Sequence, residues 1–99
     1  MARVAGGNAF TTDKGLTLYV YDRDPPFRST CTGVCATNWP PLAAPRDAAN
    51  TGAFTIIRRE DGASQWAFRG KPLYRYGRDT RAGEAGGSGV ADVWTVARP

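Results

Sequence analysis

Residues Gly15-Leu-Thr-Leu-Tyr-Val-Tyr-Asp-Arg-Asp24 return 55 positions later as Gly70-Lys-Pro-Leu-Tyr-Arg-Tyr-Gly-Arg-Asp79. Six of the ten places are identical: the Gly, the Leu, both Tyr, the Arg and the final Asp. The similarity continues downstream with three further matched pairs: Gly33 with Gly89, Val34 with Val90, and Trp39 with Trp94. Because there are only two copies, the pattern predicts one duplicated half-domain rather than a long repeat array.

The composition predicts a small, mostly β domain. The chain has 99 residues, of which 12 are Gly and 7 are Pro, and this frequency disfavours long helices. We expect one domain of about six or seven short antiparallel strands built from two duplicated halves. One short helical turn is expected near the cysteines, over residues 29–38, with Ser29 or Thr30 as its cap.

The order of turn signals predicts where the strands lie. Residues 1–9 are small and Gly-rich and are expected to be a flexible leader, with a single β domain over 10–99. The internal repeat is expected at about 10–42 and 65–99, joined through a small-residue linker. The turn signals delimit these strands: two around Asp13-Lys14-Gly15, then 54–59, 64–69, 71–76 and 90–96.

The charge pattern is basic but dispersed. The net charge is +4, and Arg58-Arg59 is the only adjacent basic pair, so a nucleic-acid partner is not favoured. A weak attraction to anionic envelope polymers or lipids fits the same charge. No stretch approaches the roughly 20 apolar residues of a transmembrane helix. The first residues also lack the apolar core of a signal peptide.

The two cysteines, Cys31 and Cys35, are four residues apart in a chain without histidine. An even count, close spacing and a small domain predict a structural disulfide in an oxidising compartment. One helical turn would place the two α-carbons at a distance that a disulfide spans. A redox-active or metal-binding dithiol and a pair of free thiols stay open as alternatives.

The repeated tyrosines lie at strand spacing. Tyr19 and Tyr21 share one face of their strand, as do Tyr74 and Tyr76 of theirs. The residue between the two tyrosines is Val in the first copy and Arg in the second. Because Arg needs access to water, we expect the tyrosine face to point inward and the repeat motif to be structural. A buried tyrosine hydroxyl then needs a partner, supplied by loop backbone or by the Asp of the same copy.

Asp24 and Asp79 end the two copies. The simplest interpretation is that each carboxylate accepts hydrogen bonds from nearby backbone amides and shapes a turn. A calcium site made by Asp22, Asp24 and Asp79 is the alternative, but no EF-hand-like loop occurs and we predict no metal and no cofactor.

The tryptophans offer a second interpretation of the aromatic residues. Trp39 and Trp66, together with Trp94, could form a platform on which a sugar or another flat ligand stacks. Aromatic residues at strand spacing more often belong to a core, so the platform is the second choice. Trp39 and Trp66 are its candidate ligand-facing residues.

The chain resembles a bacterial family of secreted or lipoprotein repeats of unknown function. Tyr19-x-Tyr21-x-x-Asp24 and Tyr74-x-Tyr76-x-x-Asp79 match its Tyr-x-(Phe/Trp/Tyr)-x-x-Asp motif. Other stretches are similar in order: Gly15-Leu-Thr-Leu-Tyr, Cys31-Thr-Gly-Val-Cys-Ala, Trp39-Pro-Pro-Leu, Asp61-Gly with Gln65-Trp66, and Gly70-Lys-Pro-Leu-Tyr. The resemblance implies export to the periplasm, cell surface or medium, often with a lipid anchor, although this sequence carries neither a signal peptide nor a lipidation cysteine.

The resemblance carries no catalytic residues with it. Without histidine, a Gly-x-Ser-x-Gly motif or a phosphate-binding loop, the sequence favours a non-enzymatic binding or interaction module of the cell envelope. Its partner would be an envelope glycan, a small metabolite or an envelope protein. The alternatives are a redox or metal-associated protein using Cys31 and Cys35, and a domain whose open strand edges pair with another chain.

Overall fold

A computed structural model describes residues 2–99, which form a mostly β domain with short antiparallel strands, as predicted. Seven strands lie within these residues: β1 (Ala2–Val4), β2 (Gly7–Ala9), β3 (Tyr19–Tyr21), β4 (Phe54–Arg58), β5 (Ser64–Phe68), β6 (Lys71–Tyr74) and β7 (Trp94–Val96). They are joined by one short helix, α1 (Val34–Asn38), and a 3-10 turn at Val90–Asp92. β1 and β2 form a hairpin, and the other strands form one sheet in the order β4-β5-β6-β3-β7.

The two copies of the repeat meet at the centre of the five-stranded sheet. β3 and β6 run antiparallel, with Tyr19 opposite Tyr74 and Val20 opposite Leu73. Tyr19 and Tyr74 are the same position of the two copies, 55 residues apart. A residue that faces its own counterpart across an antiparallel pair implies an approximate twofold axis through that point.

Each copy gives its last segment to the other copy. β7, from the second copy, pairs with β3 of the first. The segment after Trp39, from the first copy, lies beside β6 of the second, with Pro41 opposite Tyr74. Proline cannot donate a backbone hydrogen bond, and therefore this segment forms isolated bridges rather than a full strand.

The exchanged segments make equivalent hydrogen bonds. The amide of Ala97 donates to the carbonyl of Leu18 at 2.8 Å, and the amide of Leu42 donates to that of Leu73 at 2.9 Å. Donors and acceptors are both related by the 55-residue shift. The same holds for two longer-range bonds: Asp22 N to Val93 O at 2.7 Å, and Gly77 N to Asn38 O at 2.9 Å. The two halves are therefore interlocked rather than placed side by side.

The sheet is covered by apolar side chains on both faces. We call the first group the tyrosine cluster: Val4, Ala9, Tyr19, Cys31, Trp39, Tyr74, Trp94 and Val96 are buried in it, with Tyr21 and Tyr76 partly buried against it. The second is the leucine cluster: Leu18, Leu73 and Ala97 are buried, and Phe10, Val20, Leu42, Phe54, Trp66 and Phe68 are only partly buried. The second face is thus also apolar. The difference between Val20 and Arg75 in the two copies had predicted a face open to solvent.

A hairpin occupies the place where we predicted a flexible leader over residues 1–9. Residues 2–9 form β1 and β2, joined by Ala5 and Gly6, which both have positive φ angles of 49° and 86°. Two positive φ values are what a tight type I′ turn requires. Val4 and Ala9 then reach the tyrosine cluster, so small apolar residues that look like a loose segment contribute to the core. Met1 lies outside the described residues.

Two local predictions near the helical turns were wrong. The residue before α1 is Gly33, with φ of 59°, and no side chain caps the helix. Of the two predicted caps, Ser29 is buried and hydrogen-bonded elsewhere, and Thr30 binds Asp24. The strand predicted at 90–96 begins only at Trp94, because residues Val90–Asp92 form the 3-10 turn that corresponds to α1.

Candidate functional site

The repeated tyrosines and aspartates bind each other across the two copies. The hydroxyl of Tyr19 donates to Asp79 Oδ2, and the hydroxyl of Tyr74 donates to Asp24 Oδ2 at 2.6 Å. Each tyrosine therefore finds its partner in the other copy, whereas the sequence suggested the Asp of its own. The two bonds are reciprocal, as an approximate twofold axis requires.

The second carboxylate oxygen of each aspartate holds a loop. Asp24 Oδ1 accepts from the backbone N of Thr30 at 2.7 Å and from its hydroxyl at 2.8 Å. Asp79 Oδ1 accepts from the amide of Gly86 at 3.0 Å. These amides lie six and seven residues downstream, farther than the short turn that we predicted. Asp22 is exposed, and between residues 2 and 99 no group of three His, Cys, Asp or Glu side chains is arranged to hold a metal ion.

The tyrosine hydroxyls in these bonds are held protonated. Burial raises the pKa of both Tyr19 and Tyr74 well above the ordinary tyrosine value, and the hydrogen bonds to Asp79 and Asp24 raise it further. A neutral donor inside a core is neither a base nor a nucleophile near neutral pH. These two hydroxyls thus join the two copies of the repeat.

The first copy's aspartate is connected to a buried arginine that sequence reasoning missed. Arg59 is 6% exposed and its guanidinium donates to three oxygens: Ser29 Oγ at 2.7 Å, Gln65 Oε1 at 2.9 Å and the Cys31 carbonyl at 2.6 Å. Ser29 Oγ lies 2.7 Å from the Tyr74 hydroxyl, whose proton points to Asp24, so Ser29 donates in that contact. We call Arg59, Ser29, Gln65, Tyr74 and Asp24 the arginine network. Its only sequence signal was an Arg-Arg pair at the end of β4, which resembled a surface patch.

The cysteines form the predicted disulfide. Cys31 and Cys35 are bonded, with their α-carbons 5.2 Å apart, and Cys31 is 1% exposed within the tyrosine cluster. Gly87 is the residue that corresponds to Cys31 when Gly33 is aligned with Gly89. A β-carbon at Gly87 would approach the Trp39 ring to 2.6 Å, so the second copy has no room for the equivalent cysteine.

The three tryptophans separate into two environments. Trp39 and Trp94, the same position of the two copies, stack with ring centroids 3.8 Å apart and planes 3° apart. Trp39 is 5% exposed and also stacks on Tyr76 at 4.3 Å, so it lies inside the tyrosine cluster. Trp66 lies on the opposite face of the sheet and is only partly buried. The two candidate ligand-facing tryptophans therefore do not share a surface.

Trp66 lines an open apolar cavity, which we call the aromatic cavity. It has a volume of about 230 Å³ and is lined mainly by Phe10, Leu18, Leu42, Phe54, Trp66 and Leu73. The rings of Phe10 and Phe54 meet edge to face at 5.2 Å and form part of its wall. The sequence signal for this site is the alternation of large apolar residues along the two strands, Phe54 and Ile56 in β4 and Trp66 and Phe68 in β5. This pattern predicts strands but does not specify what their side chains contact.

A second, larger depression lies next to the aromatic cavity, and we call it the basic groove. Its volume is about 470 Å³, and its lining includes Val20 and Phe68 of the leucine cluster together with Arg69, Lys71 and Arg98. The rings of Phe68 and Phe10 are 4.6 Å apart, so one aromatic contact separates the two depressions.

Comparison with known proteins places the chain by its repeats. A family model described as a secreted repeat of unknown function matches residues 2–43 and again residues 55–98. Neither the curated proteins nor the solved structures yield a match. The matches start earlier than the copies that we predicted at 10–42 and 65–99, and they include the β1-β2 and β4-β5 hairpins. Each helix described between residues 2 and 99 is too short to cross a membrane.

Proposed function

Since the chain belongs to the Lipoprotein_15 family of secreted repeats of unknown function, we propose that it is a non-enzymatic binding module that holds a small apolar ligand in the aromatic cavity. The module would act outside the cytoplasm, in the periplasm, at the cell surface or in the medium. The observation that carries the proposal is the unequal covering of the two faces of the sheet.

The leucine cluster keeps large apolar side chains in contact with solvent. Only three of its nine members are buried and six are partly buried, whereas eight of the fourteen members of the tyrosine cluster are buried. Covering apolar surface stabilises by about 25 cal/mol for each Å² removed from water. An exposed group of such residues around a concave site is typical of ligand binding.

The polar groups of the domain support a binding role over catalysis. The two tyrosines with raised pKa values donate to aspartates in the interior, and these aspartates are occupied by loop amides as well. The aromatic cavity is lined by apolar residues and two threonines, with no titratable side chain among them. Such a lining offers shape and apolar contact but no acid, base or nucleophile.

The arrangement of aromatic residues favours a small apolar ligand over a glycan chain. A polysaccharide platform needs aromatic rings spread along one exposed surface, and Trp39 is stacked inside the domain instead. The alternative redox role for Cys31 and Cys35 has less support, because the Cys31 side chain is buried and no thiol is free among residues 2–99.

The uncharged fluorophore N-phenyl-1-naphthylamine tests the proposal. We expect saturable binding to the folded chain and a rise in melting temperature, because a ligand of the native state alone stabilises it by mass action. Leu42→Ser places a hydroxyl in the cavity wall and should weaken binding at least about fivefold, the effect of removing roughly 1 kcal/mol of apolar contact.

Val34→Ser is the matched control, because Val34 is 77% exposed and lies outside the cavity. This variant should bind as the parent chain does. Absence of saturable binding, or an equal loss in the two variants, would contradict a ligand site in the aromatic cavity.

A further inference from the structure

We propose that the ligand is a soluble anionic amphiphile, with its apolar body in the aromatic cavity and its carboxylate, sulfonate or phosphate in the basic groove. This inference rests on the proposed function and adds the class of ligand to it. It is carried by the adjacency of the two depressions, whose linings meet at the Phe10–Phe68 ring contact, and by the charge of the second one.

The two depressions lie on the same face of the sheet. In β5, Trp66 and Phe68 are two residues apart and therefore point to the same side, where both join the leucine cluster. Trp66 lines the aromatic cavity and Phe68 lines the basic groove. Phe10 packs against Phe68 at 4.6 Å, so a ligand that passes over this ring pair contacts both sites.

The basic groove is lined by three cationic side chains and by no acidic side chain. Arg69, Lys71 and Arg98 line it and are all exposed, and none of its lining residues is Asp or Glu. Among residues 2–99, the ion pairing found is between Arg59 and Asp61, at the opposite end of the β4-β5 hairpin from Phe68. The three cations therefore add their fields, which favours an anionic group at this place.

Two of the cations are positioned by local structure. Arg69 and Gly70 form the turn between β5 and β6, with φ angles of 50° and 83°, as a type I′ turn requires. The guanidinium of Arg69 lies 5.1 Å from the centre of the Phe68 ring. Arg98 donates to the carbonyl of Asn8 at 3.0 Å, which anchors it at the β1-β2 hairpin. The positive charges of Arg69 and Arg98 are thus held in the groove, beside the apolar residues of the leucine cluster.

The concave shape favours a single soluble ligand over a membrane surface. Apolar insertion into a bilayer needs side chains that protrude, and the large apolar residues that protrude most between residues 2 and 99 are Phe27 and Val34. Neither lines the cavity or the groove. The apolar residues that do line them are recessed, which suits one molecule entering a pocket.

A matched pair of fluorophores separates the charge from the apolar body. 8-Anilinonaphthalene-1-sulfonate has the same rings as N-phenyl-1-naphthylamine and adds one sulfonate. We expect the folded chain at low salt to bind the sulfonate about fivefold or more tightly than the neutral compound. Added salt should reduce this preference, because it screens exposed charges.

The double variant Arg69→Gln/Lys71→Gln tests the basic groove. It should lose the preference for the sulfonate, about a fivefold change, and should keep its affinity for the neutral compound. Arg23→Gln/Arg46→Gln removes the same net charge at two exposed positions outside the groove and should keep the preference. Circular dichroism confirms that both double variants are folded.

The possible outcomes distinguish the anionic ligand class from the proposed apolar binding site. If the neutral compound binds and the sulfonate has no advantage, or if both double variants lose the advantage equally, the anionic ligand class is wrong and the binding site stands. If neither compound binds, both proposals fail. Binding to anionic lipid vesicles without binding of the soluble sulfonate would overturn the soluble ligand in favour of a membrane surface.

Discussion

The two tyrosine–aspartate bonds have the same form and different surroundings. Around Asp24 and Tyr74, the partners are the amide and hydroxyl of Thr30 and the Ser29 hydroxyl, which Arg59 also binds, next to a disulfide. Around Asp79 and Tyr19, the partners are backbone amides of Gly86 and Gly87. The first bond is thus supported by buried polar side chains from both repeats, Arg59 and Ser29, where the second is supported by a glycine-rich loop that packs against the core.

The features that the two copies share are the ones that connect the copies. The tyrosine, the aspartate and the tryptophan that stacks on its counterpart occur in both halves, and they make the contacts that cross between the copies. Arg59 of the second repeat, and Ser29 and the cysteines of the first, have no counterpart in the other repeat. We infer that the contacts between the copies define the fold. The residues that support each tyrosine–aspartate bond differ between the two bonds.

Arg59→Ala should have the largest effect on this comparison, because it removes the guanidinium at the centre of the arginine network around the Tyr74–Asp24 bond. Ser29, Gln65 and the Cys31 carbonyl would each lose a buried donor, and a cavity would remain. We expect the free energy of unfolding to fall by about 3 kcal/mol, measured by urea denaturation with tryptophan fluorescence. The neighbouring Arg58→Ala is the control, since Arg58 is exposed, and it should cost less than about 0.5 kcal/mol. Equal losses in the two variants would show that the network contributes nothing particular.

Removal of the disulfide should have the next largest effect. The second half has no bridge at the corresponding place, so a half of this kind folds without one. We expect Cys31→Ala/Cys35→Ala to lower the free energy of unfolding by about 2 kcal/mol on the chain-entropy model for a short loop. The variant should keep its near-ultraviolet circular dichroism, which reports on the stacked tryptophans. Loss of that signal in native buffer would mean that the first half depends on its bridge.

The tyrosine hydroxyls should differ in their importance. Tyr19→Phe leaves the buried amide of Gly87 without its partner, while after Tyr74→Phe Ser29 still binds Arg59. We expect a loss of about 2 kcal/mol for Tyr19→Phe and about 1 kcal/mol for Tyr74→Phe in urea denaturation. The two substitutions remove the same atom at equivalent positions, and each is therefore the control for the other. A larger loss for Tyr74→Phe would show that the arginine network supports its bond more strongly than the glycine-rich loop supports the other.

Alkaline pH should weaken both bonds together. Folding raises the pKa of Tyr19 and Tyr74, so the stability that their neutral hydroxyls give is complete below the unfolded tyrosine pKa of about 10. It is lost as the pH rises from there toward the folded-state values. The free energy of unfolding should fall by about 1.4 kcal/mol per pH unit for each of the two tyrosines. In Tyr19→Phe or Tyr74→Phe the slope should be about half as steep, and an unchanged slope would contradict the assignment.

Much of the fold follows from the sequence, because local patterns specify it. The 55-residue repeat, the strand alternation and the Gly-rich turns predict a duplicated, mostly β domain, and the cysteine spacing predicts the disulfide. The hairpin of β1 and β2 was missed because Ala, Val and Gly give a weak strand signal when their burial depends on contacts far along the chain.

The interlocking and the candidate site depend on contacts that no local pattern specifies. A tyrosine followed by an aspartate looks like a local pair, and only the exchange of the last segments brings Tyr19 to Asp79. The sequence around Arg59 resembles that of a surface residue, and only the fold brings Ser29 and Gln65 to its guanidinium. Trp39 and Trp66 are the same residue type on opposite faces of the sheet. Trp39 is therefore stacked inside the domain, and Trp66 lines the aromatic cavity.

A cut between the two copies tests the interlocking most directly. A specific protease site inserted between Arg46 and Asp47, which are both exposed in the linker, allows cleavage of the folded chain. Because β3 pairs with β7 and β6 pairs with the segment after Trp39, we predict that the two fragments elute as one species in size-exclusion chromatography. They should also keep the circular dichroism of the uncut chain and unfold in one transition. Two fragments that separate in native buffer, each with its own folded spectrum, would contradict it.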